Sequence, residues 1–450
     1  MTQSSIHCSS QPSGMQLMQE RNSIQMEDLP KPLLVAFGNP LLDMTAVVKD
    51  RSLHDKFGLP VDGQLEVSNK QRAIFSQVKE NYPVEYTAGG CALNSSRVFS
   101  WVLGEPERVV FVGGIGKDEH ARRLSTIVQQ SGVVTRFVEV EDQPTGTCVA
   151  LVLGACRCLC ADIGAANTCD PEHVFNSRLL PVLEKAEYIY VEGYFITHSF
   201  PTTLQIAKYA QQHKKTFVFN LCGSYVCENH PNELTELLPY VDILFGYVEE
   251  YKTLDKFVDV EKVSQSHSNC PDNISHDVLL VLRALRGEEQ IVKDKNKGAE
   301  EDHNVQKNGI VEKSSNHSSL TNGVINGSNG DVVNGVGSGK LNGYSNCDHD
   351  VMVERGASKQ KLVVVTKGPS PLLYVDNHIV RERCVPPISP KDIIDTTGAG
   401  DSFVGGFLAA LSRRRKLNHC LDCGTWTAQK LLQQKGCTLP TYAATFLSGD

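Results

Sequence analysis

The stretch from Asp395 to Phe403 reads Asp-Thr-Thr-Gly-Ala-Gly-Asp-Ser-Phe and is the most informative part of this sequence. Small residues form a turn, a carboxylate follows, and the next run, Val-Gly-Gly-Phe-Leu-Ala-Ala-Leu, predicts a buried helix. Glycine lets backbone N–H groups approach a ligand, and the first turn of a helix attracts anions. Asp401, at the same helix start, is placed to accept a proton from an attacking hydroxyl. A phosphoryl-transfer site and a plain capped helix both remain open at this point.

Composition bounds the class of protein and of partner. The chain has 450 residues, of which 40% are hydrophobic and 21% charged, as in an ordinary soluble α/β enzyme with a large core. A net charge of −8 is mild at this length and disfavours nucleic acid or an anionic membrane as partner. No window approaches the roughly 20 apolar residues of a membrane span. Because residues 1–30 also lack the apolar core of a signal peptide, we expect a cytosolic or nuclear location.

Fifteen cysteines are many for an intracellular chain, and they predict free thiols rather than a disulfide framework. Three of them alternate in Cys-Arg-Cys-Leu-Cys, from Cys156 to Cys160. A spacing of two puts these side chains on one face of a strand, whereas structural zinc sites favour two pairs of the form Cys-x2–4-Cys. The pattern favours a cysteine-lined strand, with a metal or redox site as the alternative.

Short β-branched and aromatic runs alternate with helical patterns such as 202–213. This alternation predicts an α/β fold with a mainly parallel central sheet, covered by helices on both faces. Ligands bind such sheets beyond the carboxyl ends of the strands. Residues 41–67 and 133–162 instead predict a small separate β-sheet. The predicted strands of the central sheet are 33–40, 109–112, 188–191, 216–220, 243–245 and 362–366.

Two segments fall outside this pattern. Residues 1–30 predict a disordered N-terminal tail, and residues 287–360 predict a disordered low-complexity insert. The insert is rich in Asn, Gly, Ser and Lys, has six Asn-Gly pairs between Asn308 and Gly343, and has no sustained apolar face. The folded domain is therefore expected to comprise residues 31–286 and 361–445.

The motif around Asp401 resembles the C-terminal signature of the ribokinase-like (PfkB) family of sugar and nucleoside kinases. The resemblance implies a ribokinase-like fold in which the small sheet is a lid over the substrate. It implies that Asp401 is the general base, and that the backbone from Gly398 through Ala399 to Gly400 is the anion hole. It also implies ATP as co-substrate and Mg²⁺ as cofactor.

Other segments are similar to the adenosine kinase branch of that family, over roughly residues 33–256 and 361–440. The similarity implies that Asp43 accepts hydrogen bonds from the ribose diol, that Phe195 packs on the purine, and that Arg157 reaches the phosphates. It implies that Glu250 organises magnesium through water. The implied nucleoside contacts are Asn39, Asp43, Gln64, Gly89, Gly90, Cys91, Asn94 and Phe195. The implied contacts with ATP are Arg157, Thr366, Gly368 and Thr397.

Several positions depart from that branch. Cys91, Leu93 and Tyr247 stand where the resemblance predicts Ser, Gln and Asn. The favoured interpretation is a monomeric enzyme that phosphorylates the 5′-hydroxyl of adenosine and has no nucleic acid or membrane partner. The departures leave two alternatives: a kinase for another nucleoside or sugar, and a pseudo-kinase that binds nucleoside with little or no turnover.

Overall fold

A computed structural model describes residues 33–154, 156–266, 274–294 and 361–448 of the chain. These residues form two β-sheets with helices packed around them. The predicted tail at 1–30 and residues 295–360 of the predicted insert lie outside the described residues.

The larger sheet has ten strands and is mainly parallel, which confirms the predicted central sheet. Only β14 runs antiparallel to its neighbours, β13 and β15. The strands, numbered along the chain and given in spatial order, are β12 (Val292–Lys293), β15 (Ile379–Arg383), β14 (Leu372–Asp376), β13 (Leu362–Thr366), β11 (Ile243–Tyr247), β10 (Thr216–Asn220), β9 (Tyr188–Glu192), β1 (Leu34–Phe37), β5 (Val109–Gly116) and β6 (Val134–Val140).

The inner strands of this sheet are mostly apolar because both faces are covered, whereas the outer strands β6, β12 and β15 carry charged, more exposed residues. In β1, Leu34 and Ala36 enter one core while Val35 and Phe37 enter the other, and all four are fully buried. The first core is closed by α3 (Cys91–Leu103), α4 (Glu119–Gln130), α13 (Ala399–Ser412) and α14 (Leu417–Leu431).

The second core lies under a chain of shorter helices on the opposite face. The longest, α7, contains Pro201 and has non-helical backbone angles at Ser199, where the helix is kinked. None of the helices in the described ranges has the length and apolarity needed to span a bilayer. The helices of this face are α5 (Pro171–Val174), α6 (Leu180–Lys185), α7 (Ile196–Gln212), α8 (Ser224–Asn229), α9 (Pro231–Leu237), α10 (Val248–Phe257), α11 (Val260–Ser266) and α12 (Ser275–Arg286).

The smaller sheet has five strands and a core of its own, to which α1 (Ser52–Phe57) and α2 (Ile74–Asn81) contribute. Cys158 and Cys160 are buried in this core beside Val149 and Leu151, so the predicted cysteine-lined strand is confirmed. The strands in spatial order are β3 (Gly63–Glu66), β8 (Cys156–Asp162), β7 (Thr147–Leu153), β2 (Leu41–Val47) and β4 (Glu85–Gly89).

The composition of the small sheet differs from the prediction in two places. The predicted range 133–162 includes β6, but β6 pairs in parallel with β5 and so extends the large sheet. Conversely, β4 lies outside the predicted ranges and pairs with β2. Short alternating segments look alike in sequence, and only long-range pairing decides which sheet they join.

The start of the predicted insert also differs, because residues 287–294 are part of the fold. Gly287, at φ 79°, ends α12 in the left-handed conformation. Val292 and Lys293 then pair with β15, and Asp294 accepts a hydrogen bond from the Tyr374 hydroxyl at 3.0 Å. The folded part therefore extends about eight residues beyond the predicted boundary at 286.

We expect that replacing residues 297–358 with about ten Gly and Ser residues preserves the fold. Lys293 on β12 and Leu362 on β13 are separated by β15 and β14, a distance of roughly 20 Å that such a linker spans easily. Shortening the loop roughly fivefold lowers its closure entropy cost by about 1 kcal/mol. Chemical denaturation would measure the free energy of unfolding. A shorter deletion, of 310–345, is the control. An insoluble product or a clear loss of stability would mean that the removed segment packs on the folded core.

Candidate active site

A cavity of about 970 Å³ lies between the small sheet and the carboxyl ends of the large-sheet strands. In the large sheet β1 lies between β9 and β5. The chain continues from β1 to β5 and β6 on one side, and from β9 to β10 and β11 on the other. The loops that follow β1 and β9 therefore diverge and leave a crevice, the usual place for a ligand in such sheets. Asn39, Glu192, Asn220, Tyr247 and Thr366, at or just beyond strand ends, all line the cavity.

The predicted anion hole lies at the start of α13, on the cavity wall. Gly398 precedes the helix at φ 74°, and a Cβ there would lie 2.7 Å from the Cβ of Cys437, so only glycine fits. A Cβ on Gly400 would have no neighbour within 4 Å, because this residue faces the open cavity. The first-turn N–H groups of α13 and its positive dipole end are thus presented to a ligand.

Asp401 follows in the first turn of α13 and is 7% exposed. Asn94 Nδ2 donates a hydrogen bond to Asp401 Oδ2 at 3.0 Å. Burial raises the pKa of Asp401 to about 6, although the Asn94 amide and the nearby Cys91 thiol oppose the shift. A carboxylate with a pKa close to neutral is suited to general-base work. The predicted residues Asp401, Asn94 and Cys91 are therefore brought together.

Asp43 lies on β2 and reaches the cavity from the small sheet. Burial raises its pKa to about 7, although the nearby Arg157 and Arg97 lower it. Gly89, predicted to contact the nucleoside, does not line the cavity. A Cβ on Gly89 would lie 2.0 Å from Asp43 Oδ1, so this glycine makes room for the carboxylate instead.

Two other predicted contacts, Asn39 and Gly90, meet at the cavity wall. A Cβ on Gly90, whose φ is 95°, would lie 2.1 Å from the Asn39 carbonyl oxygen. Asn39 Nδ2 donates to the Tyr194 carbonyl at 3.3 Å, whereas Asn39 Oδ1 is buried with no protein partner among the described residues. This oxygen is therefore available to accept a hydrogen bond from water or from a ligand in the cavity.

The structure does not bring Phe195, the predicted base contact, to the cavity, and its neighbour Tyr194 lines the cavity instead. Phe195 is fully buried in the core beneath α7 and does not line the cavity. Tyr194 and Tyr225 do line it, stacked with ring centroids 5.4 Å apart and planes at 17°. Successive residues of the 3₁₀ turn Gly193–Phe195 point about 120° apart, so adjacent aromatic rings face different surroundings. The Tyr-Phe pair in the sequence does not say which ring faces the ligand.

Gln64 joins the small sheet to this aromatic pair. Its side-chain amide donates to the Tyr194 hydroxyl, which in turn donates to the Cys222 carbonyl at 2.6 Å. Glu66, two residues further along β3, lies 3.4 Å from His198 of α7. Both contacts connect the two sheets across the cavity.

Arg157 does not line the cavity, and its contact with the phosphates stays a prediction. Its guanidinium is 9% exposed and forms an ion pair with Asp395. Asp395 also accepts the Thr397 N–H at 2.9 Å and the Gly436 N–H at 2.8 Å. A buried guanidinium requires a carboxylate partner. Arg157 thereby ties β8 of the small sheet to the loop that precedes the anion hole.

The cavity lining includes Thr366, Gly368, Thr397 and Glu250, the residues predicted to lie near the phosphates and the metal. Glu250 is 9% exposed, and burial raises its pKa to about 7. Its Oε2 accepts the N–H of Tyr247 at 2.8 Å. Tyr247 is 44% exposed, and its phenol lies at the cavity next to Gly368.

The cavity is acidic, which bears on the cation predicted for it. Five carboxylates line it, and Lys367 is the one Lys or Arg among the described lining residues. Within the described ranges no three His, Cys, Asp or Glu side chains could together hold a metal ion. Magnesium typically binds through one or two carboxylates, its own waters and substrate phosphates, and such a site fits this arrangement. The five carboxylates are Asp43, Glu66, Glu192, Glu250 and Asp401.

Comparison with known proteins identifies the family. The sequence pattern of the pfkB family of carbohydrate kinases matches residues 62–269 and 341–444. The chain belongs to the pfkB family. This membership confirms the resemblance and the ribokinase-like fold class predicted from the motif around Asp401.

Similar proteins cover nearly the whole of this pfkB family member. Adenosine kinase 1 of Arabidopsis thaliana is 27% identical over 414 residues, which are 91% of this chain and 96% of the plant protein. The crystal structure of Anopheles gambiae adenosine kinase with P1,P4-di(adenosine-5) tetraphosphate is 30% identical, with a TM-score of 0.66 over 91% of this chain and 99% of that chain. Adenosine kinase from Schistosoma mansoni with 2-fluoroadenosine has the same fold, with a TM-score of 0.67 at 22% identity.

Proposed function

We propose that this pfkB family member is an ATP-dependent adenosine kinase, which converts adenosine and ATP to AMP and ADP. The observation that carries the proposal is Asp401, a buried carboxylate held by Asn94 at the start of α13 in the wall of a nucleoside-sized cavity. Adenosine kinases from Arabidopsis thaliana and Anopheles gambiae, similar over 91% of the chain, support adenosine as the acceptor.

Different side chains are proposed to act as the base, to stabilise charge and to bind the nucleoside. Asp401 takes the proton of the 5′-hydroxyl as that oxygen bonds to the γ-phosphorus and the bond from phosphorus to ADP breaks. The N-terminal N–H groups of α13 stabilise the charge on the transferring group. Asp43 accepts hydrogen bonds from the ribose diol, and Tyr194 and Tyr225 pack on the base.

Magnesium, when bound, would offset the charge of the triphosphate and so allow it to enter an acidic cavity. Glu250 is the residue proposed to organise it, through the waters of the ion. Thr366, Gly368 and Thr397, which line the same part of the cavity, are the proposed neighbours of the phosphates.

The direct test combines purified full-length protein with adenosine, ATP and Mg²⁺ and measures AMP. We expect AMP formation that depends on all three components, with ribose and guanosine as poorer acceptors. If ribose or another nucleoside is phosphorylated faster than adenosine, that compound rather than adenosine is the preferred substrate. If no acceptor is phosphorylated, the proposal that this protein is a kinase is wrong.

Tyr247 favours a second candidate, a nucleoside-binding protein with little or no turnover. Its phenol lies at the cavity beside Gly368, and Tyr247 pairs with Thr366, a proposed phosphate contact, on the adjacent strand. The family resemblance predicts a carboxamide at this position. Calorimetric titration with adenosine, run beside the AMP assay, separates the candidates. Binding without product would favour the second.

If the enzyme is active, Tyr247→Asn is expected to raise turnover several-fold and to lower the magnesium concentration needed for half-maximal rate. A carboxamide would add polar contacts for metal-bound water near Glu250 and remove bulk beside Gly368. The Michaelis constant for adenosine is expected to change little. The matched control is Tyr442→Asn, another exposed tyrosine (49%) that does not line the cavity. Unchanged turnover and magnesium dependence would show that Tyr247 does not limit the metal site.

Two further expectations stay predictions. A cytosolic or nuclear location can be checked by imaging the tagged full-length chain in cells. The monomeric state can be checked by sedimentation or light scattering.

A further inference from the structure

Glu192 is a buried carboxylate that the proposed chemistry does not use. It is the last residue of β9, it is fully buried, and it lies in the wall of the cavity. Its Oε1 accepts the backbone N–H of Asn39 at 2.8 Å, and its Oε2 accepts the backbone N–H of Ala92. One carboxylate thus joins three separate segments of the chain.

Both of these N–H groups belong to segments that form the nucleoside end of the cavity. Asn39 follows β1 and presents the unpaired Oδ1 described above. Ala92 is the second residue of α3, and the residue that caps this helix, Gly90, has no side chain to accept a first-turn N–H. Glu192 therefore supplies from β9 the acceptor that helix starts usually obtain from their own cap residue.

The capped helix also carries the contact to the proposed base. Asn94, two residues after Ala92, donates the hydrogen bond to Asp401. Holding the first turn of α3 in place consequently fixes Asn94 and Cys91 relative to Asp401.

The glycine at position 38 is explained by the same carboxylate. A Cβ on Gly38 would lie 2.6 Å from Cδ and 2.6 Å from Oε2 of Glu192. Any larger residue would push the carboxylate away from its two donors. Gly38 and Glu192 therefore form a matched pair, one supplying the space and the other filling it.

Burying this carboxylate is costly. Desolvation raises the pKa of Glu192 to about 8, the N–H groups of Ala92 and Asn39 lower it, and the Asp401 charge raises it further. Cys91, Cys222 and Tyr225 face the same region. A buried acid retained among other acids suggests a gain in function that offsets the loss in stability.

We propose that Glu192 is a positioning residue, which holds the Asn39 loop and the start of α3 in the arrangement that binds the nucleoside. The identity of the ligand rests on the proposed function, whereas the two hydrogen bonds do not. Without the carboxylate, the two segments occupy the competent arrangement only part of the time. Apparent affinity falls by that fraction, and saturating nucleoside restores the arrangement.

This proposal predicts a specific kinetic pattern. Glu192→Ala is expected to raise the Michaelis constant for adenosine about tenfold or more while turnover at saturation stays within about threefold. Glu192→Gln keeps one acceptor oxygen and turns its NH₂ toward the other donor, so an intermediate effect is expected. A merely structural residue would lower the melting temperature and leave the Michaelis constant unchanged.

Asp242→Asn is the matched control. Asp242 is a buried carboxylate of the same sheet, 5% exposed, that accepts the Phe217 N–H at 2.8 Å and pairs with Lys361 at 2.8 Å. It precedes β11, at the end of the sheet away from the cavity, and does not line it. This variant is expected to lose stability without a change in the Michaelis constant.

The experiment measures three properties of the full-length variants: AMP formation, adenosine binding by calorimetry, and hydrogen exchange in peptides covering residues 36–44 and 88–99. We expect faster exchange in both peptides for Glu192→Ala and for neither in Asp242→Asn, with adenosine binding weakened only in the Glu192 variants. If wild type makes no AMP, the proposed function fails, but exchange and binding still test Glu192. If Glu192→Ala does not fold, Glu192→Gln is measured in its place. Unchanged exchange in the two peptides, or unchanged adenosine binding where wild type binds it, would overturn the proposal.

Discussion

Asp401→Asn is expected to reduce AMP formation by about 10²–10⁴-fold while leaving adenosine affinity within a few-fold. In free energy this is roughly 3–5.5 kcal/mol of barrier. Asparagine has nearly the same shape and can still face Asn94, so the cavity is preserved, but it cannot take the proton of the 5′-hydroxyl. Single-turnover kinetics would measure the chemical step, and calorimetry would measure adenosine affinity.

A matched control distinguishes a base from a helix cap. Asp259 accepts the Lys262 N–H at 2.9 Å at the start of α11 and does not line the cavity. Asp259→Asn is expected to change neither stability nor activity much, because asparagine caps a helix about as well as aspartate. If Asp401→Asn behaved like Asp259→Asn, with near-normal turnover, Asp401 would be a helix cap and the proposed mechanism would be wrong.

The pH dependence of the wild type gives an independent check. Because the pKa of Asp401 is raised to about 6, the base is protonated below that pH and kcat/KM is expected to fall as the medium becomes more acidic. Asp43 and Glu250, each with a pKa raised to about 7, titrate in the same cavity, so the acidic limb belongs to the group. In the pH profile of kcat/KM for Asp401→Asn, the decrease centred near pH 6 is expected to disappear.

Asp43→Ala is expected to weaken adenosine binding by about 10- to 100-fold, the second largest effect. At pH 8, where Asp43 is ionised, a hydrogen bond to its charged carboxylate is worth about 1.5–3 kcal/mol, and the expected loss corresponds to about one such bond. The loss is expected to be within a few-fold for 2′,3′-dideoxyadenosine, which lacks both hydroxyls. Calorimetry would measure the affinity of both ligands for wild type and for Asp43→Ala. The four affinities together give the coupling between Asp43 and the ribose hydroxyls. Equal losses for both ligands would mean that Asp43 serves the local structure rather than the ribose.

Measuring the stability of Asp43→Ala would show whether weaker adenosine binding is caused by unfolding of the variant. The pKa of Asp43 is raised from 3.8 to about 7 by burial, so the folded protein keeps a proton that the unfolded chain releases. Stability therefore falls as pH rises from about 4 to about 7, and at pH 8 the buried charge is a net cost. Asp43→Ala is expected to be no less stable than wild type at pH 8. Thermal melts at pH 5 and pH 8 would test the sign.

The layers of the fold and the chemistry of one cavity wall can be predicted from local sequence patterns. Apolar runs such as 188–191 and 362–366 are buried on both faces of a parallel sheet, and that requirement is visible in a short window of sequence. The motif ending in Asp401 is equally local, because a glycine turn, a helix start and a carboxylate act together within a few residues. The fold class and the position of the anion hole followed from these features.

Which neighbour of a pair faces the cavity, and which distant charges meet, depends on the tertiary structure. Tyr194 rather than Phe195 reaches the cavity because the 3₁₀ turn points them apart, and Arg157 finds Asp395, 238 residues away. Glu192 follows an apolar strand with no motif around it, and its partners Asn39 and Ala92 lie 153 and 100 residues distant. A local pattern cannot encode such contacts, because they depend on how parallel strands and their loops are placed side by side by the whole fold.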